Sequence, residues 1–137
     1  MEPVEYSALN ARQQESYNFA KVSAVLADYG FTTIRLTDDW QGADFIAQHI
    51  DGETFLKVQL KGRATIDKKY VGKGIFIAFR DGDDWFLYPH DEVVDVLIAE
   101  TGIEGTESWA ERGHYNFPRL SRDLRAILDS YRLRDVE

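Results

Sequence analysis

The sequence predicts a mixed α/β (α+β) fold, and three observations carry that prediction. An apolar stripe of helical period runs near the start. Short β-branched and aromatic segments follow one another through tight-turn signals. Helical stripes return only in the last third. At 137 residues the chain is expected to form one domain over 1–137, with a core at about 10–101 and a C-terminal helical extension at about 102–137.

The elements follow in order. Phe19, Val22, Leu26 and Tyr29 recur at spacings of three and four and predict a helix over 8–29, with Gly30 just past its end. Residues 31–36 are β-branched and aromatic with polar residues interleaved and read as a strand; 37–42 read as a polar turn and 43–49 as a second strand. Asp51-Gly52 signals a hairpin into a third strand over 54–61. A glycine-punctuated basic segment over 62–74, a loop with or without irregular strand extensions, leads to a fourth strand over 74–80. Asp81-Gly82-Asp83-Asp84 turns into a fifth over 85–88, which Pro89 stops. Residues 91–101 read as a helix with Asp91 capping it, 102–117 as irregular chain, and 121–131 as a last helix capped by Ser121. The result is a mixed five-stranded sheet with an N-terminal helix and flanking C-terminal helices. Trp40, Trp85 and Trp109 are expected as core or interface anchors, and His49, His90 and His114 as structural residues without metal-site spacing.

Composition excludes several classes. With 44% hydrophobic and 29% charged residues, the chain is neither disordered nor collagen-like. The absence of cysteine excludes a disulfide scaffold and thiolate chemistry. No apolar run reaches the ~18 residues of a membrane helix, and the acidic start lacks a signal-peptide pattern, so a cytoplasmic protein without membrane association is expected.

Charge is unevenly placed. The chain carries a net charge of -8, yet residues 57–80 hold seven bases against one acid. Residues 81–111 hold ten acids and no Lys or Arg. The basic segment is a candidate polyanion contact through Lys57, Arg63, Lys68, Lys69 and Lys73, with Tyr70 placed to stack on a base or pack on a sugar.

The third strand carries the chemistry. Side chains alternate along it, so Leu56, Val58 and Leu60 share the core face while Lys57, Gln59 and Lys61 share the other. Asp44, just across the hairpin, can pair beside Gln59. Glu15 extends the helical stripe Phe19–Val22–Leu26 by one turn and should point toward the sheet's edge. A carboxylate with neighbouring oxygen ligands suits Mg²⁺, which activates water, and an adjacent lysine suits charge building on a phosphoryl group.

The pattern Gly42-Ala43-Asp44, a hairpin, then Gln59-Leu60-Lys61 resembles the PD-(D/E)XK nuclease superfamily, and Glu15 on the preceding helix resembles Holliday-junction-resolvase-like members. The likeness covers roughly residues 10–90. It implies a restriction-endonuclease-like core: a helix, a three-stranded meander, a helix and a further strand. It also implies that Asp44, Gln59, Glu15 and the Leu60 carbonyl hold Mg²⁺ (or Mn²⁺), and that Lys61 is the catalytic lysine. Ala43 stands where the pattern has proline, and Gln59 where it has its second acid. The implied function is a Mg²⁺-dependent DNA endonuclease; cutting both strands takes two sites, which a homodimer would supply. The alternative is a catalytically inactive nuclease-fold protein that binds nucleic acid, or a basic protein through the acidic segment 81–111, in a regulatory or immunity-type role.

Overall fold

A computed structural model describes residues 1–134, without the side chains of Asp39 and Trp40. Trp40's expected anchoring role therefore lies outside the described residues. A 3-10 turn at Tyr6–Ala8 precedes α1 (Ala11–Asp28). The helix starts at Ala11, three residues later than its stripe suggests, because Asn10 and Gln13 form a reciprocal capping box.

Three strands then form an antiparallel meander: β1 (Phe31–Trp40), β2 (Ala43–His49) and β3 (Phe55–Leu60). The expected 37–42 turn contracts to Gln41-Gly42, both at positive φ (52° and 90°), so β1 runs on to Trp40. The Asp51-Gly52 hairpin forms as expected: Asp51 accepts from the backbone N–H of Glu53 and Thr54 at 2.8 Å. Beyond β3 come β4 (Thr65–Asp67), a 3-10 turn at Lys68–Tyr70, β5 (Ile75–Asp81) and β6 (Asp84–Pro89). Next are α2 (His90–Thr101), α3 (Glu107–Ala110), β7 (His114–Asn116), α4 (Arg122–Leu128) and β8 (Arg132–Leu133).

The main sheet has six strands in the order β1-β2-β3-β5-β6-β8, with β3 and β5 parallel and every other pair antiparallel. The sixth strand, β8, has only two residues and follows a helix directly, too short to show a period-two pattern. β4 and β7 form a separate two-stranded ladder.

Both faces of the sheet are covered. On one, Val22 and Leu26 of α1 pack on Phe45, Ala47, Val58, Ala78 and Trp85. On the other, residues of α2 and α4 join Ile66, Tyr70, Trp109 and Phe117 over Ile75, Ile77, Phe79, Phe86 and Tyr88. Strand β5 is therefore apolar on both sides, as a buried strand with a parallel neighbour should be.

Two expectations are corrected. The basic 62–74 segment has its strand extension, β4, but it is docked and not open to solvent along its length: Ala64, Thr65, Ile66 and Tyr70 are buried, and a 3-10 turn follows β4. It also stands in place of the helix that the family resemblance puts between the meander and the parallel strand. Residues 102–117, expected as irregular, contain α3, β7 and a 3-10 turn at Ile103–Gly105; their periods are too short to read from spacing.

Candidate active site

The site forms where β2 begins and β3 ends. In β1, Arg35 pairs with Phe45 and Trp40 with Ala43, so residues 36–39 of β1 lie opposite the single residue Asp44. This bulge interrupts the ladder at Asp44. The Asp44 carboxylate instead reaches across to β3, where Oδ2 accepts from the Leu60 N–H at 2.8 Å. The register Phe45↔Val58 puts Asp44 opposite Gln59 one step further on. A cavity of about 470 Å³ opens here, lined by Glu15, Arg35, Asp44, Leu60 and Lys61 together with Tyr6, Gln14 and Asn18.

Four of the residues singled out in the sequence thus meet: Asp44, Leu60, Lys61 and Glu15 contribute to one cavity from three different elements. Glu15 is solvent-exposed rather than turned inward, so it stands at the mouth. Gln59 does not line the cavity. It is 9% exposed, and its side-chain oxygen is buried without a hydrogen-bond partner. The second layer covers the Gln59 face of β3, the face opposite Leu56, Val58 and Leu60.

Among the described residues no three His, Asp or Glu side chains gather as a metal cluster. The set that fits a hard divalent cation at this cavity is the Asp44 carboxylate, the Leu60 carbonyl and Glu15; Gln59, which the resemblance counts among the ligands, lies under the second layer and does not open into it.

Tyr70 is the clearest correction among the proposed DNA contacts. It is 2% exposed, edge-on to His90, and its ring fills the space beside Gly42. No face is offered to a base. Instead, the Lys61 and Lys69 ammonium groups lie 5.7 and 5.2 Å from its ring centre. Tyr70 therefore underpins the cations rather than the substrate. A Cβ on Gly42 would sit 3.1 Å from Tyr70 Cδ1, and φ is already +90°, so the residue before Ala43-Asp44 has to be glycine.

The remaining bases divide. Arg63, Lys68, Lys69 and Lys73 are exposed, as expected. Lys57 is half-buried and its Nζ donates to Gln41 Oε1 at 3.3 Å, which ties it to the β1–β2 turn. Lys69 also lies 3.7 Å from Asp67, and Lys68 sits over the Trp109 ring at 5.1 Å.

The Tyr88-Pro89-His90-Asp91 corner holds the basic segment in place. The Tyr88 hydroxyl accepts from Thr65 N at 2.9 Å and donates to Thr65 O at 2.5 Å. Burial pushes its acidity well out of the usual range, so the phenol stays protonated. His90, fully buried, accepts from Asp67 N at Nε2 (3.0 Å), so its proton lies on Nδ1, facing Asp91 Oδ1 at 3.0 Å. Asp91 does not cap α2, whose N-cap is Pro89; its other oxygen accepts from Gly72 N at 2.9 Å. The hydrogen bond from His90, then that from Gly72, hold the Asp91 carboxyl below its ordinary range.

The acidic segment is partly consumed inside the fold. Arg125 bridges Asp81, at 2.6 Å, and Asp84, and Arg132 also reaches Asp84. The C-terminal arginines thus fold back onto the start of the acidic 81–111 segment.

No protein-family model and no curated protein matches the chain. Among solved structures, a Holliday junction resolvase, Hjc of Archaeoglobus fulgidus, is similar at 16% identity, over 51% of this chain and 74% of that one, with a TM-score of 0.40.

Proposed function

We propose that the chain is a metal-dependent endonuclease that hydrolyses DNA phosphodiester bonds. The observation that supports this most is the convergence of Asp44, Lys61 and Glu15 on one cavity, with exposed cations on the segment that follows Lys61. In this reading Asp44, the Leu60 carbonyl and Glu15 hold Mg²⁺ or Mn²⁺. The bound ion supplies charge neutralisation on the phosphate and a more acidic water. Lys61, braced over Tyr70, orients the attacking water and stabilises charge on the phosphoryl oxygens. Arg63, Lys68, Lys69 and Lys73 hold neighbouring phosphates and fix the strand's position without reading its sequence.

One observation favours a second reading, a nuclease-fold protein that binds nucleic acid without cutting it. Gln59 brings no charge where the superfamily pattern has an acid, and it is buried. Nicking of supercoiled plasmid separates the two. Under the first reading, wild type nicks in Mg²⁺ and not in EDTA. Lys61→Gln and Asp44→Asn then lose on the order of 100-fold in rate, the usual cost of removing one transition-state stabilising group. Equal rates in all three proteins would refute the assignment. DNA binding without nicking would establish the second reading.

A further inference from the structure

The geometry points to a second phosphate track, formed by Arg35, Arg80 and Lys21 on the α1 side of the cavity, along which the DNA backbone enters. This inference rests on the DNA-directed reading above and adds a surface that the basic 57–80 segment alone does not define.

Two of the cations share a ring, and the third is linked to them through the cavity wall. Lys21 Nζ lies 5.3 Å from the Tyr17 ring centre, and the Arg80 guanidinium lies 5.6 Å from the same ring. Arg80 also covers Tyr6 at 5.4 Å and Trp85 at 5.8 Å, and the Tyr6 and Tyr17 rings are 5.2 Å apart. Tyr6 in turn lines the cavity together with Arg35. Arg35 rests over Phe19 at 5.5 Å and donates from Nη1 to Ser16 Oγ at 2.9 Å.

Each cation is thus held by neutral groups. Among the described residues none of the three meets a carboxylate within 4.0 Å. Elsewhere in the fold cations do find acids: Lys69, Arg125, Arg132 and Arg134 all pair with aspartates. A guanidinium oriented by an aromatic face and a hydroxyl keeps its charge uncompensated and retains N–H donors for an oxyanion. Arg35 sits in the cavity beside Asp44 and Lys61, so the phosphate it takes lies next to the one being cut. Arg80, over Tyr6 and Tyr17, and Lys21, over Tyr17, take the phosphates beyond it.

The test is the salt dependence of binding to a 30-base-pair mixed-sequence duplex in EDTA, read by fluorescence anisotropy. Each cation that contacts a phosphate contributes about 0.9 to the slope of log K against log salt. Arg35→Gln, Arg80→Gln and Lys21→Gln should each flatten the slope by about 0.9, and the triple variant by about 2.7. Arg35→Lys and Arg80→Lys should keep the wild-type slope, which separates lost charge from a disturbed fold. Arg122→Gln, an exposed charge on α4, should leave the slope unchanged. Wild-type binding whose slope is the same in the three glutamine variants would overturn the track and leave the nuclease reading standing. Failure of wild type to bind the duplex at all would overturn both.

Discussion

Replacing Tyr88 by phenylalanine removes one oxygen and should release the segment that carries the site's cations. The hydroxyl both accepts from Thr65 N and donates to Thr65 O, and Thr65 is 2% exposed. Phenylalanine fills the same space but leaves two buried backbone groups without that partner. Each such loss costs roughly 1–2 kcal/mol, so about 2–4 kcal/mol together is expected. For a domain of this size each kcal/mol lowers Tm by roughly 4 °C, placing the loss at about 8–15 °C. Urea unfolding should show a lower midpoint at unchanged slope, the signature of lost stability without a changed unfolded state. Thr65 lies four residues beyond Lys61, so nicking measured at a temperature where the variant is folded should fall as well. A Tm within about 2 °C of wild type would show that the phenol does not anchor this segment.

Two further perturbations follow from the same region. Gly42→Ala forces a methyl group to 3.1 Å from the Tyr70 ring at a φ of +90°, and should cost about 1–3 kcal/mol in urea unfolding, with a matching loss of metal affinity because Asp44 follows two residues later. Asp91 has a folded carboxyl held below its ordinary value of 3.8 by the His90 and Gly72 hydrogen bonds. Its contribution is therefore complete above that value and is lost as pH falls through the lower folded one. Wild type should be more stable than Asp91→Asn at neutral pH, and the difference should shrink in urea midpoints taken from about pH 5 downward.

The meander was legible because its signals are local. Asp51-Gly52 marks a hairpin, the alternation of Leu56, Val58 and Leu60 gives the face, and the short connections force antiparallel neighbours. The same alternation put Asp44 opposite Gln59, which the register supports. What escaped depends on contacts distant in sequence. The burial of Gln59 and Tyr70 comes from the layer built by α2, α4 and the β4–β7 ladder, whose pairing partners are some fifty residues apart. Charge alone made 62–74 look like a solvated loop; the apolar residues Ala64, Ile66 and Tyr70 within it were the available sign that it docks. Arg35 and Tyr6 were missed because nothing local marks them: one alternates in an ordinary strand, and the other lies in a short segment before the first helix.

The most direct test of the central claim is a calorimetric titration of Mn²⁺ into wild type and Asp44→Asn, with no DNA present. Asparagine can still accept from Leu60 N, so the fold around position 44 should survive and only the carboxylate charge is removed. A single Mn²⁺ bound by wild type, and weakened at least tenfold in Asp44→Asn, is the expected result. Equal affinity in the two proteins, or no binding by wild type at millimolar Mn²⁺, would contradict the assignment of Asp44 as the metal-holding residue of a nuclease site.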